Sequence, residues 1–508
     1  MTRPSVNPSS IPLLPKLKEC KHFKPCFVIP CLNIDRFLLA RLHLKLLEVQ
    51  PTRKRLIAAL NRLPEDLDDT YSNTIERIQS QNREYANIAM RALKWITFAK
   101  RYLSTIELQH ALAVEPDSED VGKDDLIDPR KLLSICAGLL IMNSNSQIRL
   151  VHYTTQKYLH GRLKSDGDAE IAMTCLRYFT FPPFSATSPE SWWFHSYSDS
   201  YQLGSYVAKH WFEHVQGPSE TDFNSTILRT FRNQGTRDLV FEMMEDLGPS
   251  ETTGISIFLL ASMCGLRDLC EKLLNGTLDG DCLKYVFHFW PALTHGRLTP
   301  LTLEQTDAVY KMTPLIWASR NGHLEVARLL LDRGAQIHSA QSSHNSPLYA
   351  AVSNRDVEMV RLLLDKGALN VDERRPQETL FERRQRQTIL FPAYGPWGEE
   401  IPLDKRGVEI FSMLLEKGAD VNSRNIGDEN TPLHIATNTG QVEIMKMLLQ
   451  RGANFEVKDG RGRSPLRIGI ERSRVEAVRV LLDKGANPNA ADKDEWSLLQ
   501  SAVPFWKH

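Results

Sequence analysis

The 508-residue chain carries no excess of either charge: Lys plus Arg number 62, and so do Asp plus Glu. Such a balance exerts no long-range pull on nucleic acid or on an anionic membrane, so partners of those kinds would need a local patch. Long hydrophobic runs are missing too. The longest near-continuous one, residues 132–142, is too short to span a bilayer. The Pro- and Ser-bearing start lacks a signal-type apolar core. Cysteine is sparse, at eight residues. Cys136, Cys175, Cys264, Cys270 and Cys282 are scattered, mostly through apolar segments, as small buried hydrophobes would be. Cys20, Cys26 and Cys31, with His22 among them, do not form the two close pairs of a zinc site. There is no G-x-x-x-x-G-K-[ST], no G-x-S-x-G and no H-E-x-x-H. A phosphate-cradling loop, a serine nucleophile elbow and a helical zinc pair are therefore all absent. We expect a cytoplasmic, non-enzymatic protein with no cofactor, no metal, no small-molecule substrate and no membrane contact.

What the chain does have is repetition. Pro314, Pro347, Pro432 and Pro465 each follow Ser or Thr and precede Leu, and the first and second pairs are each spaced by 33 residues. Proline suits a first helical position, where its missing N–H would be unpaired anyway. In the stretch starting at Thr431, Gly440 ends one helix after about two turns. A second carries Val442, Ile444, Met445, Leu448 and Leu449 at helical spacing. Gly-Ala then closes the unit, at 334–335, 367–368, 418–419, 452–453 and 485–486. This period, with Thr-Pro-Leu-His at 431–434, resembles the ankyrin repeat, over roughly 308–500. The resemblance gives His434 a structural hydrogen bond to neighbouring loop backbone and Thr; Ile316, Tyr349 and Arg467 stand at its equivalents. Residues 255–274 show the same layout around Gly265 without Thr-Pro or Gly-Ala, a degenerate first repeat within 251–307. The third unit is interrupted at about 370–406 by two polar, Pro- and Gly-containing stretches whose charges nearly cancel, as in solvated loops. The last unit, at Trp496, shows one helix only, as if cut short or capped by 504–506. Paired leucines before each Gly-Ala, 329/330, 362/363, 414/415, 448/449 and 481/482, are expected to carry the packing.

The N-terminal half reads differently. Residues 1–32 are irregular. Two helices follow over 35–49 and 52–63, and Asp68 or Asp69 caps a third through Tyr71, Ile75 and Ile78. Residues 86–98 form a helix, Ser104 and Glu107 make a capping box for the next, and Asp128-Pro129 opens another. Residues 139–142 and 148–152 are strands joined by the polar turn at 143–146. Three helices and a hairpin make a winged-helix pattern. Residues 37–42 and 58–71, with Leu150-Val151-His152-Tyr153-Thr154-Thr155-Gln156, resemble fungal-type NACHT–ankyrin proteins, which are NLR-like signalling proteins. The winged-helix family there is named after a GPI inositol-deacylase whose catalysis belongs to another domain. The expected division is 1–32 irregular, 33–82 helical, 83–164 winged helix, 165–250 helical linker with an aromatic core around Tyr206 and Trp211, 251–307 degenerate repeat, and 308–508 ankyrin array.

The expected fold is therefore predominantly all-α, a helical and winged-helix N-terminal half followed by an ankyrin-repeat α-solenoid. The expected function is recognition of an unidentified partner protein on the concave face. Aligning the units places Trp317, Ser319, Arg320 and Asn321 beside Val352, Ser353 and Asn354, then Thr437, Asn438 and Thr439, then Ile470, Glu471 and Arg472, as that surface. Two other readings stay open. One is an NTP-dependent signalling receptor whose NTPase lies outside this sequence, as the resemblance implies. The other is a winged-helix DNA binder, against which residues 129–137 offer only Arg130 and Lys131.

Overall fold

The computed structural model describes residues 66–163, 166–185, 201–216, 220–247, 254–277, 303–337, 346–369, 404–425 and 428–488, and single positions at 43, 52, 54, 55 and 390. Most of the expected helices over 35–49 and 52–63, the Cys20/Cys26/Cys31 cluster, most of the insertion and the Trp496 unit lie outside them. The chain divides near residue 214 into two units.

In the first unit, α1 (Leu67–Gln79) is capped by Asp66, whose Oδ1 accepts the Asp69 N–H at 2.8 Å. The expected caps, Asp68 and Asp69, lie instead in the first turn, where acids face the positive end of the helix dipole. α2 (Arg83–Phe98) is the hub. It packs on α1, α3 (Thr105–Ala113), α4 (Pro129–Ile135), α5 (Tyr153–Leu163), α6 (Gly167–Tyr178) and strand β2 (Ile148–Leu150). Ala89, Ala92, Leu93, Trp95 and Phe98 are accordingly buried. So is Arg91, whose guanidinium donates to the carbonyls of Ala111, Leu112 and Val114, acceptors that the end of α3 leaves open. The expected Ser104–Glu107 capping box is formed.

Strand β1 (Leu140–Met142) pairs antiparallel with β2, Leu140 facing Leu150 and Met142 facing Ile148. The hairpin is shorter than expected because its ends are used otherwise. Ala137 and Gly138 turn at positive φ before it, and His152 after it turns to the start of α5, its Nδ1 2.9 Å from Thr154 Oγ1. α7 (Gly204–Val215) contributes the expected aromatic core. Trp211 lies edge-on to Phe179 at 6.4 Å and Tyr206 edge-on to Trp95 at 5.6 Å.

The second unit is a stack of helical hairpins: α10–α11 (Ile257–Met263, Arg267–Asn275), α12–α13 (Pro314–Arg320, Leu324–Asp332), α14–α15 (Pro347–Ser353, Val357–Asp365), α16 (Lys405–Glu416), α17–α18 (Pro432–Thr439, Val442–Gln450) and α19–α20 (Pro465–Glu471, Val475–Asp483). First helices touch first helices and second helices touch second, with α15 against α16 and α16 against α18. The second layer thus runs unbroken past the insertion. Within the expected degenerate first repeat, α10 and α11 form a hairpin: Gly265 turns between them at φ +73°, and a Cβ there would lie 2.4 Å from His323 Nδ1 of the next unit.

Of the paired leucines, the one five residues before the closing Ala is fully buried in each unit: Leu330, Leu363, Leu414, Leu448 and Leu481. The next position lies at the rim and depends on the following hairpin for cover. Leu415 is buried, Leu449 half-buried and Leu482, on the last described helix, 42 % exposed. The expectation for Leu482 is thus corrected. A staircase of charges runs along the second helices: Arg333 to Glu271 at 3.7 Å, Lys366 to Asp332 at 2.9 Å, Lys417 to Asp365 at 3.3 Å. Exposed pairs like these add little stability.

Before the stack come α8 (Glu220–Thr230) and α9 (Gln234–Met244), in the segment expected to be a linker. They pack in reverse order, α9 on α10 and α8 on α11. Glu220 accepts the Leu269 N–H at 3.0 Å, at the open start of α11. The buried Arg237 donates to the carbonyls of Ile255 and Phe231 at 3.0 and 2.7 Å. The pair closes the N-terminal edge of the stack, as a terminal cap must.

Candidate binding surface of the repeat array

The surface is built where each first helix ends and turns into the second. Thr313 Oγ1 accepts the Ile316 N–H, and Ser346 and Ser464 do the same for Tyr349 and Arg467. In the unit of α17, His434 completes the cap. Its Nδ1 lies 2.8 Å from Thr431 Oγ1 and its Nε2 3.1 Å from the Arg463 carbonyl of the next unit. This is the bond expected for it, and it staples two repeats together.

The structure separates the expected contact residues into two groups. Trp317, Ser319, Val352, Thr437 and Thr439 are buried and offer nothing to a partner. The reason is local. A seven- or eight-residue helix with a neighbour on either side buries two faces, not one. Trp317 donates Nε1–H to Asp307 at 3.1 Å and lies edge-on to Phe241 and Tyr310. The hydroxyls of Thr437 and Thr439 donate to the carbonyls of Leu433 and Ile435. By contrast Asn321, Asn354 and Arg472 are exposed, and Arg320, Ser353, Asn438, Ile470 and Glu471 are half-buried. Several of these also bridge units. Asn321 donates to the Met263 carbonyl at 2.8 Å, Asn354 to that of Arg320, and Arg474 to that of Asn438 at 3.0 Å.

A groove of about 550 Å³ opens among these ends, lined by Arg320, Asn354, Arg355, Asp356, Glu358 and Arg406 in particular. Sequence alignment missed Arg355 and Arg406. Arg355 occupies the turn position that Gly265, Gly322 and Gly440 fill in three units and Ser473 in another, and it holds φ +55°. That conformation costs a residue with a Cβ about 1–2 kcal/mol. Arg320 is held firmly, its guanidinium 3.0 Å from Glu245 and over the rings of Trp317 and Tyr310. Burial pushes the Glu245 carboxyl up, and Arg320 opposes that shift.

Three further facts bound what the described residues do. Burial pushes the Cys136 and Cys270 thiols up to about 12, so neither is a ready nucleophile. No group of three or more His, Cys, Asp or Glu side chains among the described residues could hold a metal ion. No helix among them is long and apolar enough to cross a membrane. On the winged helix, Lys131 of α4 lies over the Tyr85 ring at 4.3 Å.

His434 makes a pH test. Burial pulls its imidazole below the ordinary value of 6.5, the backbone bond to Arg463 opposing. The folded state therefore favours the neutral ring. Its stabilisation is complete above about pH 6.5 and is lost as pH falls through the window between 6.5 and the lowered folded value. Urea midpoints between pH 8 and pH 5 should fall with acid. They should fall less in His434→Gln, and an equal acid slope in that variant would remove His434 from the account.

Comparison with known proteins finds ankyrin repeats and a winged-helix domain in the chain. The family model for ankyrin repeats matches residues 258–374 and 404–492 in three copies. The model for the GPI inositol-deacylase winged helix domain matches residues 75–174. Azaphilone pigments biosynthesis cluster protein L of Monascus ruber is 25% identical over 323 residues, 55% of this chain and 61% of that protein. Protein fem-1 homolog C of Danio rerio is 47% identical over 49 residues, 10% of this chain and 8% of that protein. The chain thus spans less than two thirds of either relative. Among solved structures, the ankyrin repeat domain of Bcl-3 aligns with a TM-score of 0.36 at 24% identity, covering 49% of this chain and 94% of that one.

Proposed function

We propose that this chain, with its winged-helix domain and its run of ankyrin repeats, is a non-enzymatic scaffold that holds a partner protein on the first-helix ends of the array. The observation that supports it is the division of labour within each repeat. The seam leucines and the Trp317 and Thr437 positions do the packing, while Asn321, Asn354, Asn438, Glu471 and Arg472 recur on one open edge. Side chains on such an edge vary more readily than those of the seam, although Asn321 and Asn354 also donate to the unit before. The resemblance to NACHT–ankyrin proteins adds a context. In it the array is the recognition arm of an NLR-like signalling protein in the cytoplasm, and an NTPase, if used, comes from outside this sequence.

A photo-crosslinking amino acid placed at Asn438 or Arg472 of the full chain, in cells, should trap one protein partner. The same group at Arg328, exposed on a second helix, should not. Equal trapping at all three positions would overturn the assignment.

A further inference from the structure

We propose that the groove beside Arg355 and Arg406 takes an acidic side chain of the partner polypeptide. The proposal rests on the array being a polypeptide-binding surface and names the chemistry of one of its pockets.

Three arginines and two acids line the groove. Asp356 is held, since it caps α15 and accepts the Met359 N–H at 3.1 Å. Glu358 is open, with 68 % of its side chain exposed, and meets Arg361 only at 3.9 Å. Asp404, near the rim, caps α16 by accepting the Gly407 N–H at 2.8 Å and meets Arg355 only at 3.5 Å. Among the bases, Arg320 is spent on Glu245. Arg406 is exposed and makes no hydrogen bond or ion pair with any described residue. Arg355 keeps donors beyond its one long ion pair, with a quarter of its side chain open to solvent. Two guanidiniums from different repeats thus reach one groove with donors unused. A carboxylate is an acceptor-only group that fits such forks.

Three other units put Gly at this turn and another puts Ser473, which holds φ +54° with a side chain attached, so the left-handed backbone at Arg355 belongs to the repeat.

The test uses the full chain and three labelled decapeptides, of glutamate, glutamine and lysine, read by fluorescence anisotropy. The glutamate peptide should bind, and added salt should weaken it. Arg406→Ala and Arg355→Gly should each weaken it about ten-fold, the size of one charge-assisted hydrogen bond. Arg355→Gly should melt no lower than the parent, which separates lost binding from lost fold. Arg328→Ala should change nothing. Binding of the glutamate peptide that survives both substitutions, or stronger binding of the lysine peptide, overturns the proposal. Peptides selected from a random library separate the two readings. Selected binders that depend on Asn438 but not on Arg355 or Arg406 would sink the groove alone, whereas no selected binder at all would sink the scaffold reading with it.

Discussion

Leu448→Asp is expected to melt the array from its middle. Leu448 is fully buried at the seam position, five residues before Ala453. Truncating a buried leucine costs about 2–5 kcal/mol, and an unpaired carboxylate at the same place adds to it, for a total of at least about 4 kcal/mol. The damage should spread, because each hairpin buries its apolar face only against its neighbours. α18 touches α16 on one side and α20 on the other. Hydrogen exchange should therefore show lost protection in α16 and α20 as well as in α17 and α18. Slow exchange in both neighbours, with the variant melting at the parent's midpoint, would mean that the hairpins do not share a seam.

Trp317→Ala should cost about 3–5 kcal/mol, the range for deleting a buried aromatic. Three things go at once. The ring leaves a cavity between Phe241 and Tyr310. The buried Asp307 loses a donor, keeping the N–H groups of Tyr310 and Met312. Arg320 loses the face over which it sits. Trp317→Phe should recover part of the loss, since it restores ring contact but no donor. Urea unfolding of the three forms tests this. A parent-like midpoint for Trp317→Ala, combined with lost partner binding, would make Trp317 a contact residue after all.

That residue shows where a sequence stops being informative. The repeats could be read because Pro314, Pro347, Pro432 and Pro465 start helices and the Gly-Ala pairs end hairpins, and both effects are local. The capping box at Ser104 and Glu107 was readable for the same reason. Which side of a seven-residue first helix faces the partner is not local. Trp317 and Asn321 are one helical turn apart, yet one lies at the centre of an aromatic cluster and the other at the open edge. Only the neighbouring units decide that. The reversed packing of α8 and α9 was hidden likewise, since their pattern gives an amphipathic hairpin whichever way it docks. Arg355 left a trace in the alignment, as an Arg where three units have Gly and another has Ser473, but the φ angle shows that the turn is left-handed in all of them.

The staircase of charges has a consequence for how such a chain can change its length. Three successive second helices offer a base to an acid of the helix before: Arg333 to Glu271, Lys366 to Asp332, then Lys417 to Asp365. Removing the whole hairpin between them would bring Lys417 beside Asp332, the same pairing with one step missing. Duplicating a hairpin would likewise add a step of the same kind. Within this run, gain or loss of an entire unit is thus electrostatically neutral, whereas an excision out of phase with the repeat would set unlike rungs against each other.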